Sequence, residues 1–183
     1  MTRRIVESIE GEYRRYKALA EGAIEQLDDG QLCQATGDGS NSIATIVWHV
    51  SGNLESRFTD FLEADGEKPW RDRDSEFLQR KVTRAELLEK WEKGWSVLFE
   101  ALAGLNDEQL QEVVTIRGVP LSVADALHRS LAHAAYHVGQ IVFLAKELRG
   151  GEWRYLSIPP GESAAYNENP LREKRGRWPS ASS

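Results

Sequence analysis

His133 and His137 stand four residues apart in the run His133-Ala-Ala-Tyr-His137. On an α-helix, positions i and i+4 are neighbours on one face, with Cβ atoms about 5–6 Å apart, so this pair can grip a single metal ion. Neutral imidazole is the commonest protein ligand for zinc-like ions, and three histidines with an open position make a reactive site rather than a structural one. A pair at this spacing also occurs as a plain surface feature, so the metal reading turns on a third ligand. His49 is the candidate.

The elements that must bring these residues together can be read from apolar periodicity. A first helix is expected from about Arg3 to Leu27, with Ile5, Ile9, Tyr13, Tyr16, Ala20, Ala23 and Ile24 on one stripe, ended by Asp28-Asp29-Gly30. Ser42 caps a second, expected to run to about Ala64 with Ile46, Val50, Leu54, Phe58 and Phe61 facing the core. Thr83 and Glu86 form a capping box for a third helix, through Trp91, Trp95 and Leu102 to Gly104. Ser122, with Asp125 in the first turn, opens a fourth that extends to about Leu148, where Gly150-Gly151 stops it. Val113-Val-Thr-Ile116 reads as an extended connection or a short strand.

Long amphipathic helices with almost no strand signal predict an all-α chain, a four-helix bundle over residues 1–149. The stretch from Asp65 to Val82 exceeds the usual bundle connection and could serve as a crossover. Residues 150–183 read as an irregular C-terminal tail whose first half packs on the bundle through Trp153, Tyr155 and Ile158, while its last residues fray.

At 100° per residue, His133 and His137 lie on one edge of the fourth helix's apolar face, and Gln140 continues their stripe. His49 lies on the edge of the second helix's face, followed by Asn53 and Arg57. If the edges meet, three imidazoles converge in a pocket lined by Asn, Gln and Arg. His128 falls on the opposite side of its helix and reads as a surface or packing residue. No carboxylate shares the stripe within a turn of His133 or His137, which argues against a carboxylate-rich di-iron site. Trp70, Arg71 and Arg73 either form an anion-binding lip or belong to a solvated loop of mixed charge. Cys33 has no basic neighbour in sequence to activate its thiol.

Composition narrows the function class. A net charge of −6 lacks the basic footprint of a nucleic-acid binder, and the short basic run at Arg172, Lys174, Arg175 and Arg177 reads as a solvated end. No apolar run approaches the ~20 residues that span a bilayer, and the N-terminus turns polar too soon for a signal peptide. One cysteine among 183 residues excludes an internal disulfide and fits a reducing cytoplasm. The fourth helix is apolar on most sides and must be covered on several faces, which predicts a homodimer.

Trp48-His49-Val50 together with His133-Ala-Ala-Tyr-His137-Val-Gly-Gln140 resembles the DinB-like (YfiT-type) metalloenzyme superfamily. Within it, Ser40-Asn-Ser-Ile43, Gly52-Asn53, Asp65-Gly-Glu-Lys-Pro-Trp-Arg71 and Leu156-Ser-Ile-Pro-Pro-Gly161 are similar to a small bacterial subgroup with no assigned activity. The resemblance implies a bundle, often dimeric, in which His49, His133 and His137 hold one divalent transition metal, nickel or zinc. Characterised relatives include bacillithiol-dependent S-transferases and a mycothiol-dependent maleylpyruvate isomerase. The expected function is thus transfer of a low-molecular-weight thiol to an electrophile, with Asn53, Arg57, Gln140, Trp70 and Arg71 contacting a small-molecule substrate. Metal-dependent hydrolysis and a non-enzymatic metal- or ligand-binding stress protein are the alternatives. No residue is assigned a catalytic role.

Overall fold

The computed structural model describes residues 2–170. The basic run and the fraying end expected beyond Leu171 lie outside them. The described chain is mostly helical, with six α-helices and one two-stranded sheet. Four of the helices are long: α1 (Arg4–Ile24), α3 (Ile43–Phe58), α4 (Arg84–Ala103) and α5 (Val123–Arg149). α3 packs against α4 and α5, and α1 against α5 and α4, so each long helix has two long neighbours. Between them lie the largest fully buried side chains, among them Tyr13, Ile24, Leu54, Trp91, Trp95, Leu98 and Leu127. The Tyr13 hydroxyl donates to the Leu127 carbonyl at 2.8 Å, a buried tie between α1 and α5.

The three expected caps form. Ser42 accepts from the Thr45 amide, Ser122 accepts from the Asp125 amide, and Thr83 and Glu86 complete a reciprocal capping box. Each satisfies amides that the first helical turn leaves unpaired. Asp28 does more than end α1. It makes a capping box with Gln31 and starts α2 (Asp29–Cys33), which seats Leu32 in the core.

The second expected helix stops earlier than its apolar pattern suggests. α3 ends at Phe58, not Ala64. Asp60 takes a positive φ of 48° and turns the chain back, so that Ser56 Oγ donates to the Gly66 carbonyl at 2.9 Å and accepts from the Lys68 amide. Phe61 still reaches the core, its ring 5.0 Å from that of Phe58. The turn thus places on the core side a residue that a helix would also have placed there.

The 113–116 segment is one strand of a hairpin. β1 (Val113–Ile116) pairs antiparallel with β2 (Val119–Ser122), in register from Val113 opposite Ser122 to Ile116 opposite Val119. The two-residue turn is Arg117-Gly118, with φ of 56° and 72°, the backbone that matches the twist of paired strands. The helical expectation therefore holds for the bulk of the chain, with this hairpin added.

After α5, Gly150 turns the chain at a φ of 59°, and the tail returns to α1. Gln26 accepts from the Arg154 amide at 2.7 Å and donates to its carbonyl at 3.1 Å. Trp153 and Leu156 pack on the core, whereas Tyr155 and Ile158 stay exposed. A short helix, α6 (Ser163–Glu168), follows.

The α3–α4 contact is close enough to demand glycine. A Cβ at Gly94 would lie 2.7 Å from Ser51 Cα and 2.9 Å from its carbonyl oxygen, both backbone atoms that cannot swing aside. Gly94→Val is expected to lower unfolding stability by about 2–3 kcal/mol. A Cβ at Gly11, inside α1, would meet nothing within 4 Å, so Gly11→Ala should gain about 0.5–1 kcal/mol from helix propensity. Urea midpoints that move together would refute this assignment of the two glycines.

Candidate metal centre

His49 is buried on α3, and His133 and His137 are half-buried one turn apart on α5. The packing of α3 on α5 brings all three together. One nitrogen from each lies within 4.8 Å of the others, and the His49 and His133 Nε2 atoms are 3.1 Å apart. The ring centroids of His133 and His137 are separated by 4.6 Å.

The outward nitrogens are held by acceptors. His49 Nδ1 lies 2.9 Å from Glu76 Oε2, and His137 Nδ1 lies 2.8 Å from Gln140 Oε1. A carboxylate and a carboxamide oxygen can only accept, so a neutral imidazole in either place carries its proton on Nδ1. That leaves the Nε2 lone pair for the cluster. Metal-ligating histidines are oriented in this way by a partner on the second ring nitrogen. The donor set therefore fits a divalent ion: three imidazoles, two with the required tautomer imposed by their neighbours.

Glu76 is itself pinned. Arg71 donates to both its oxygens, through Nε at 2.8 Å and Nη2 at 2.9 Å, and the Arg71 side chain is only 2% exposed. Arg80 donates to the Ser75 and Glu76 carbonyls at 2.6 and 2.9 Å and lies over the Trp48 ring. Phe77 packs 4.7 Å from the His49 ring. Gly52, in mid-α3, makes room: a Cβ there would overlap the Glu76 carboxylate. A glycine inside a helix costs about 1 kcal/mol relative to alanine, and here it admits the carboxylate that orients His49.

Residues 1–162 match the family described as "Protein of unknown function (DUF1572)". The chain belongs to that family. No curated protein and no solved structure matches it.

In this DUF1572 chain a cavity of about 190 Å³ opens beside His49 and His133. Asn53, Arg57 and Arg71 line it. Trp70 does not line it and is 56% exposed. Gln140 is engaged with His137 rather than lining the cavity. Arg71 is only partly a lip, because both of its bonded nitrogens go to Glu76. His128 is exposed, away from the cluster, and Cys33 accepts a long contact from the Val82 amide. Arg117, Arg129 and above all Glu76 went unrecognised in the sequence. The one local clue to Glu76 was Gly52, three residues after His49 on α3, marking the close approach of something from outside the helix. Among the described residues no helix is long and apolar enough to cross a membrane.

Burial above all, then the neighbouring His137 and His49 and the Arg71 and Arg57 charges, pushes His133 down to about 3. Burial also lowers His137, although its bond to Gln140 opposes the shift. Burial alone would raise Glu76, but its bonds to His49 and Arg71 outweigh that and hold it below the usual carboxylate range. In the unfolded chain the imidazoles titrate near 6.5, so below that pH the unfolded state takes up protons that folded His133 and His137 refuse. Their contribution is therefore full above about pH 6.5 and is lost as pH falls toward 3. With chelator present, urea midpoints should drop between pH 7 and pH 5, and drop less in His133→Asn. An equal drop in that variant would contradict the assignment.

Proposed function

We propose that this chain is a DinB-like metal-dependent enzyme that transfers a low-molecular-weight thiol to an electrophile. Its four long helices form the bundle, and His49, His133 and His137 hold one divalent transition metal, nickel or zinc. The observation that carries the reading is the convergence of three imidazoles with two outward nitrogens already bonded. The mutual packing of α1, α3, α4 and α5 supports the bundle. The motif resemblance supports the choice of thiol.

A divalent ion on three neutral ligands supplies Lewis-acid chemistry, favouring the ionised form of a bound thiol or water. The protein's own residues do the rest. Glu76 and Gln140 hold the two imidazoles in orientation. Arg71 neutralises Glu76, and the Arg80 tie fixes the backbone that carries it. Asn53 and Arg57 present polar groups to a substrate in the cavity, and the Phe58 and Phe61 rings exclude water from its inner wall.

Steady-state assays with a panel of thiols and electrophiles, run beside ester and amide substrates, test this function. Thiol conjugation that needs the metal supports transfer, and metal-dependent ester cleavage alone supports a hydrolase. Saturable ligand binding without turnover points to the non-enzymatic reading. Full activity in chelated protein would eliminate both enzymatic versions.

The same reading includes a homodimer. Tyr136 and Phe143 on α5 are 64% and 65% exposed, and Tyr155 in the tail is also exposed, which is apolar surface for a two-fold contact to cover. Light scattering at micromolar concentration is expected to give twice the mass of one chain. A mass of one chain, unchanged on concentrating, would refute the dimer.

A further inference from the structure

Five arginines line the cavity beside the histidines: Arg57 on α3, Arg71 and Arg73 in the connection after it, Arg117 in the hairpin turn and Arg129 on α5. No aspartate or glutamate lines it. In a chain of net charge −6, this concentration of positive charge does not follow from composition.

The carboxylates nearby do not match it. Glu76 takes Arg71, and a single Glu67 oxygen serves both Arg57 and Arg117, at 3.1 and 3.0 Å. Arg73 reaches only Asp74, at 3.9 Å, and the Asp74 side chain is 99% exposed. Arg129 has no carboxylate partner among the described residues, nor does Asn53 have a hydrogen-bond partner there. Three paired carboxylates, one of them fully exposed, thus serve four of the five guanidinium groups and Arg129 has none, which leaves positive charge directed at the cavity.

Arg117 is placed there against its backbone preference. Its φ of 56° suits glycine or asparagine. Asp65 holds the turn in position, accepting from the Arg117 and Gly118 amides at 2.8 Å each and from the Glu67 amide at 2.7 Å. One carboxylate therefore clamps the hairpin turn to the connection, and the Arg117 and Glu67 side chains meet beside the cavity. The rest of the wall is largely apolar, from Phe58, Phe61, Val114, Ile116 and Ala126. A void of about 150 Å³ suffices for benzene, and this one is about 190 Å³.

We propose that the cavity binds a small amphipathic anion, a carboxylate or phosphate monoester bearing one apolar group, with Arg129 and Arg117 as its charge partners. Planar guanidinium groups match such oxyanions geometrically. The apolar group lies against the phenylalanine wall. The proposal rests on the metal-centre reading for what becomes of the anion, while recognition itself depends on the arginines. It names the substrate class for the proposed enzyme.

Calorimetric titration of the full chain with phenyl phosphate, benzoate and benzamide tests it, with metal content measured on the same samples. Both anions are expected to bind saturably, and benzamide, the neutral match for benzoate, at least about tenfold more weakly. Arg129→Gln and Arg117→Gln should each weaken phenyl phosphate about tenfold at unchanged metal content. Arg129 is exposed, so its variant tests recognition without endangering the fold. Anion binding that depends on Arg129 in a chain that takes up no metal would uphold this proposal and defeat the metal centre. Equal affinity for benzoate and benzamide, no saturable binding of either anion, or unchanged affinity in both arginine variants would overturn it.

Discussion

His137→Ala should take the divalent ion from one per chain to near none in elemental analysis of protein passed through a desalting column. Losing even an outer partner of a metal-bound histidine typically costs 10–100-fold in affinity, and losing a ligand costs more. His49→Ala and His133→Ala should behave alike, because the three nitrogens lie within 4.8 Å of one another. Among the described residues no second cluster of this kind is present. His128→Ala should keep the wild-type content, since His128 is exposed and outside the cluster. Full stoichiometry in His137→Ala would sink the site.

The second large effect is expected at Glu76. Glu76→Ala removes the partner of a guanidinium that is 2% exposed and of a buried imidazole at once. Removing one member of a buried ion pair costs about 3–5 kcal/mol, because the other charge stays buried without compensation. Glu76→Gln separates the two roles. Its amide oxygen can still accept from His49, but it no longer balances Arg71, so stability should fall less than in the alanine variant. Metal affinity, read by competition with a chromogenic chelator, should drop about 10–100-fold in Glu76→Ala and less in Glu76→Gln. Asp74→Asn, two residues away but with a 99% exposed side chain, should change stability by less than about 0.5 kcal/mol. A wild-type urea midpoint for Glu76→Ala would mean that the Arg71–Glu76–His49 chain does not hold the connection to α3.

The contrast between Glu76 and the histidines marks how far this sequence could be read. His133 and His137 were legible because helical spacing alone puts them on one face. His49 was legible because it sits on the edge of an apolar stripe, and edges are where helices meet. The caps at Ser42, Thr83 and Ser122 were legible for a related reason: a side chain bonding an amide three residues on is a local event. The end of α3 was not. Phe61 continues the apolar pattern, and the turn at Asp60 is stabilised by Ser56 bonding to Gly66 and Lys68, contacts that exist only once the connection has folded back. The second hairpin strand was hidden in the same way, since Pro120 suggests a loop but takes a paired position opposite Thr115 at the sheet's edge.

The sequence by itself determined the long helices, most of their boundaries and three candidate nitrogen ligands, because helix periodicity and capping act over three or four residues. Only the tertiary structure decided what surrounds those imidazoles. His49 and Glu76 are 27 residues apart, and the cavity draws arginines from α3, the connection, the hairpin turn and α5. No short-range spacing rule joins such positions. Their meeting is set by the packing of α3 on α5, by the glycine at 52 that admits Glu76, and by the Asp65 clamp on the hairpin turn.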